Sequence, residues 1–148
     1  MNRKQKNKKI VDAGKATRKK RKNQICKVFE VKVDKSHLSK KTLHDSEKLF
    51  LEAKWLRNHV LATEDVFNVD YKIKEIDVKV GDVFEKREFK VISSQIKQSV
   101  IDQLKQNIYN LSAIKKKGRK VGTLKFKSKC NSINLKQFGK TYKIKANK

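Results

Sequence analysis

The sequence predicts an α+β fold, in which a near-neutral domain of helices and short strands follows a disordered basic arm. Three observations carry that expectation. Two segments, about 38–60 and 94–114, repeat apolar residues at helical spacing. Two others, Asp70–Ser93 and Gly122–Ile144, alternate at the period of a strand. The charge is also segregated within a net +25. Residues 1–22 hold eleven Lys and Arg against one acid, Asp12, residues 115–148 hold thirteen and no acid, and the stretch between is almost balanced.

Residues 1–24 form the arm. Beyond Ile10, Val11 and a few alanines it has little apolar surface to bury against its ordering entropy, so it is expected to be disordered. Its densest run, Arg18, Lys19, Lys20, Arg21 and Lys22, suits a nucleic-acid arm or a nuclear-localisation run, and a solubilising tail is the plainer alternative. Residues 25–148 form the domain. Ile25–Val33 is rich in β-branched residues and reads as a strand. Asp34–His37 supplies turn and cap chemistry, with Ser36 the better N-cap candidate. The first helix places Leu43, Phe50, Ala53, Leu56 and Val60 on one stripe, widened by Leu49 and Trp55. Glu47, Lys48, Glu52 and Lys54 fall on its other faces.

Between Asp70 and Ser93, Gly81-Asp82 separates two apolar runs and marks a hairpin. The second helix has the cleaner period, with Ile96, Val100, Leu104, Ile108, Leu111 and Ile114 in line and Lys97, Asp102 and Lys105 elsewhere. It must stop near Gly118. The tail reads as short strands, and with no proline in the chain its turns rely on Gly, Asn and Lys.

A charge of this size favours a polyanionic partner, and phosphates that bind Lys and Arg release condensed counterions. The chain has no apolar run long enough to span a bilayer and no secretory segment, so a soluble, cytoplasmic protein that does not partner a membrane is expected. With 36% apolar and 7% aromatic residues the core is modest. Cys26 and Cys130 lie far apart and read as incidental thiols, since a structural zinc site needs four closely spaced ligands. Asp77, Asp82, Glu85 and Glu88 are interleaved with Lys79, Lys86 and Arg87 and read as exposed ion pairs. His37, His44 and His59 read as surface or cap residues. No carboxylate follows Asp102, so neither catalysis, nor a metal, nor a cofactor is expected.

The segment Ile114–Ser128 is the strongest candidate for binding. Gly118 and Gly122 let a loop carrying Lys115, Lys116, Lys117, Arg119 and Lys120 bend with its backbone N–H groups toward anions. Lys125 and Lys127, with Lys129 beyond, flank Phe126. That ring either packs into the core beside Leu124, the favoured role, or stacks on a base.

The runs KKKGRKVGTLKFKS (115–128) and SINLKQFGKTYKI (132–144) resemble the segment ahead of the catalytic domain in TnpB/OrfB-type transposon proteins, relatives of the compact type V CRISPR effectors. The shared pattern is a basic Lys-Gly loop after a helix, a Gly-x-x-Lys-Phe-Lys-Ser element (Gly122–Ser128), a Ser-Ile-x-Leu strand (Ser132–Leu135) and a Gln-x-Gly turn (Gln137–Gly139). The resemblance implies a small wedge-like β-barrel or sheet, with the two amphipathic helices as an inserted recognition lobe, cradling guide RNA and target DNA. The family's RuvC-like carboxylates and zinc-ribbon cysteines are not found up to Lys148. The expectation is a non-catalytic, nucleic-acid-binding part of a TnpB-like transposase. The alternatives are a stand-alone RNA-binding protein of the ribosomal type, and the binding half of a nuclease completed by a separately encoded catalytic chain.

Overall fold

The computed structural model describes every residue except Met1, Cys26, Phe29, Val31, Val33, Glu64, Phe138, Lys140 and 144–148. The chain divides into two compact units, Met1–His37 and Leu38–Lys148.

The first unit corrects the expectation of a disordered arm. Residues Arg3–Lys22 form helix α1, none of whose residues is buried. Local terms alone account for it. Ala, Lys, Arg and Gln are good helix formers, and no proline interrupts the run. Asn2 caps the first turn by accepting from the Lys4 N–H (3.2 Å), while the Gln5 side chain accepts from the Asn2 N–H (3.1 Å). Lys19, Lys20, Arg21 and Lys22 occupy the last turn, where the helix dipole favours cations. Its formation rests on capping and propensity, since no residue of it is buried.

The expected strand Ile25–Val33 falls partly outside the described residues, at Cys26, Phe29, Val31 and Val33. The described residues between them belong to no strand, and Ile25 and Val28 are exposed. Ser36 is engaged in a turn, its N–H and hydroxyl both donating to the Asp34 carboxylate at 2.9 Å, and these bonds lower the Asp34 pKa. The cap of the next helix is therefore Ser39, which accepts from the Thr42 N–H at 3.1 Å.

The second unit runs helix α2 (Lys40–Ala62), a short turn of 3-10 helix (Val66–Asn68), strands β1 (Glu75–Val80) and β2 (Val83–Glu88), and helix α3 (Ser94–Lys116). Both helices lie within two residues of their expected bounds. The strands pair antiparallel with Val80 opposite Val83 and Ile76 opposite Arg87. Gly81, at φ 62°, supplies the left-handed turn residue. This two-stranded sheet is not a closed barrel. The expected tail strands do not form among the described residues from Gly122 to Lys143, where Tyr142 alone makes an isolated bridge; Phe138 and Ile144 lie outside the described residues. Three backbone groups of the tail, the Lys125 carbonyl and the Lys127 N–H and carbonyl, instead bond to side chains of α2.

Ala53, Leu56 and Val60 of α2 meet Ile101 and Leu104 of α3, with Ile92 closing the cluster. The α2 stripe is as expected. The α3 face is turned toward Lys97 and Ile101, leaving Ile114 exposed. Two charged residues assigned to solvent are in fact inside. Glu52 is 0% exposed, and its carboxylate accepts from three backbone N–H groups, those of Lys90 (3.0 Å), Val91 (2.9 Å) and Ile92 (2.8 Å). Lys97 is 7% exposed, donates from Nζ to the Ile73 carbonyl at 2.6 Å, and lies 4.4 Å from the centre of the Phe89 ring. Burial pushes the Lys97 pKa below 10.5, and the charge of Glu52 acts the other way.

Glu52→Ala takes the acceptor from three backbone N–H groups, of which that of Ile92 is buried and those of Lys90 and Val91 partly so, and is expected to lower unfolding stability in urea by about 3–5 kcal/mol. Glu52→Gln retains an acceptor and loses less. For Lys97 the folded pKa is depressed, so the unfolded chain binds more protons between that value and 10.5. Wild type should therefore gain stability relative to Lys97→Met as pH rises through that window, with a flat difference below it. Urea melts repeated across pH read both effects.

Candidate nucleic-acid interface

The basic loop begins where α3 ends. Gly118, at φ 73°, donates its N–H to the Lys115 carbonyl (3.0 Å), and Arg119 donates to Ile114 (3.4 Å). That pair of bonds is a Schellman cap, which only a residue comfortable at positive φ closes without strain. Gly122 takes no positive φ and has open space around it, so the bend belongs to Gly118.

Past the bend, the chain is fastened to α2 by its backbone. The Asn58 amide donates to the Lys127 carbonyl (2.9 Å) and accepts from the Lys127 N–H (2.9 Å), as a neighbouring strand would. Arg57 donates to the Lys125 carbonyl at 3.0 Å, and partial burial lowers its pKa. Leu124, Cys130 and Ile133 pack against the core cluster. Farther on, Lys136 reaches Asp102 of α3 at 2.5 Å, and Gln137 and Gly139 turn the chain at positive φ.

Apart from the Lys136–Asp102 pair, this fastening uses backbone and apolar groups of the tail, which leaves the cations of the loop outside. Lys115, Lys116, Lys117, Arg119, Lys120, Lys125, Lys127 and Lys129 are all exposed, and among the described residues none is in an ion pair. Arg18, Lys19, Lys20, Arg21 and Lys22 are likewise exposed, at the end of α1 in the other unit.

No protein family, curated sequence or solved structure matches the chain.

Phe126 departs from the favoured core role. It is 65% exposed and stands on the wall of a cavity of about 830 Å³, shared with Trp55 of α2 and Phe84 of β2. By sequence, Trp55 only widens a helical stripe, and Phe84 follows Gly81-Asp82 where the alternation is imperfect and assigns it no face. Lys125-Phe126-Lys127, an aromatic between two cations on a polar segment, was the one local hint.

Of the carboxylates expected to pair, Asp77, Asp82, Glu85 and Glu88, only Glu85 is in an ion pair among the described residues, with Arg87, and Lys86 pairs instead with Glu75 at 3.4 Å. His37 and His44 lie 3.7 Å from Asp34 and Asp45, while His59 lines the cavity. Among the described residues no three His, Cys, Asp or Glu side chains gather into a metal-binding group, and no helix is long and apolar enough to cross a membrane.

Asn58→Ala removes both bonds to Lys127, a loss of about 1–3 kcal/mol confined to the tail. Amide exchange at Lys127 and tryptic cleavage after Lys125 and Lys127 should both accelerate, while amides of the α2–α3 core keep their protection.

Proposed function

We propose that the chain binds nucleic acid by gripping its phosphate backbone, chiefly through Lys115–Lys129, with α1 as an auxiliary cationic surface. The observation that carries this reading is the disposition of the loop. Eight cations project from a segment that has no acid and is anchored through its backbone, so its positive field is not neutralised within the fold. A segment held in place loses less entropy on meeting its ligand than a loose tail does.

The loop, the Lys-Phe-Lys element and the Gln-x-Gly turn are the residues that resemble TnpB-type proteins. On that reading α2 and α3 correspond to the recognition lobe, the hairpin and the extended tail to the wedge, and this stretch binds guide RNA and target DNA without cutting either. A ribosomal-type RNA-binding protein is the second reading, favoured by α1, whose solvated cationic helix would suit insertion into folded RNA.

Equilibrium binding to duplex DNA across a salt series tests the proposal. Each phosphate neutralised contributes about 0.9 to the slope of log affinity against log salt. Changing Lys115, Lys116, Lys117, Arg119 and Lys120 to Gln should flatten that slope by up to about 4.5. The same change at Arg18, Lys19, Lys20, Arg21 and Lys22 should flatten it less. Equal slopes for wild type and the first variant would refute the assignment. Magnesium should not induce cleavage by the purified chain.

A further inference from the structure

The basic loop explains contact with phosphates and leaves the aromatic-lined cavity beside it without a role. Its three rings come from positions far apart in sequence: Trp55 on α2, Phe84 on β2 and Phe126 in the tail. Phe84 and Phe126 are 68% and 65% exposed. Large apolar rings grouped around one concavity are a costly surface for a lone domain and mark a ligand site. The rim is cationic, with Lys54, Lys79 and Lys127 against a single carboxylate, Asp77, which stands opposite Lys86 in the hairpin. The site is also continuous with the basic loop, because Lys127 and Phe126 belong to both. Asn58 holds that junction in place from the α2 side.

We infer that this cavity receives unpaired nucleobases of a single strand whose phosphates lie along Lys115–Lys129. The chemistry fits on each side. Every base presents a π-face to an aromatic ring irrespective of its identity, and the lysines on the rim meet the phosphates next to the inserted base. A duplex keeps its bases stacked inside and offers only its backbone. The inference rests on the nucleic-acid reading above and narrows it from phosphate gripping to preference for single strands.

Trp55 is the sole tryptophan, so its emission reports on the cavity directly. The full-length chain would be titrated at low salt with four probes about 12 nucleotides long, a length within the usual footprint of single-strand sites. The probes are oligothymidylate, oligouridylate, an abasic sugar-phosphate strand and a DNA duplex. Either or both single strands should quench Trp55, and which of them does so identifies the DNA or RNA source. The abasic strand and the duplex should bind without quenching. Phe84→Ala and Phe126→Ala touch exposed rings and should leave the fold intact by circular dichroism. Each should weaken single-strand binding about tenfold, as loss of one base stack does, and leave abasic binding unchanged. Quenching by the abasic strand equal to that by the others, or variants that weaken all probes alike or none, would overturn the inference while sparing the backbone-binding reading. Failure of wild type to bind any of the four would overturn both.

Discussion

The second unit depends on one buried carboxylate. Glu52 sits on α2 with no exposure to solvent and takes three consecutive backbone N–H groups, Lys90 to Ile92, from the segment that joins the hairpin to α3. Removing a charge from water costs several kcal/mol, and only good geometry with full hydrogen bonding offsets it. Here the geometry is good, and buried Lys97 lies close enough to feel the charge. The described core has only seven buried apolar side chains, so packing alone specifies the arrangement weakly. The carboxylate fixes where the hairpin leaves off and α3 begins relative to α2. It thereby sets the positions of two of the three walls of the aromatic cavity.

The third wall is set by a different device. The tail was expected to pair as strands, yet the described hairpin offers it no partner and Asn58 and Arg57 do. An extended segment tied to a helix by side-chain amide and guanidinium groups satisfies its backbone at two points and spends none of the lysines between 115 and 129. The separation between anchoring groups and exposed cations is what makes the loop suited to a polyanion.

What could be read in the sequence follows from how local each feature is. The helices α2 and α3 and the Gly81-Asp82 turn depend on neighbours within a few residues, and their places were legible. So was the stop at Gly118, which the cap geometry explains. Glu52 and Lys97 were not, because a charge at the edge of an apolar stripe ordinarily reaches water through its long side chain. Only the arrival of Lys90–Ile92 from elsewhere in the chain makes Glu52 an interior residue. Helix α1 was hidden for the opposite reason: it forms from caps and propensity, with no buried face to give it an apolar period. The cavity was illegible because positions 55, 84 and 126 meet only in three dimensions.

Where the phosphates land decides between the loop and α1 as the main binding surface. Acetylation footprinting of the full chain, with and without a saturating single-stranded oligonucleotide, measures that lysine by lysine. Strong protection is expected at Lys115, Lys116, Lys117, Lys120, Lys125, Lys127 and Lys129, with weaker protection along α1. Protection confined to α1, with the loop lysines reacting as they do in the unbound chain, would contradict the assignment to the loop.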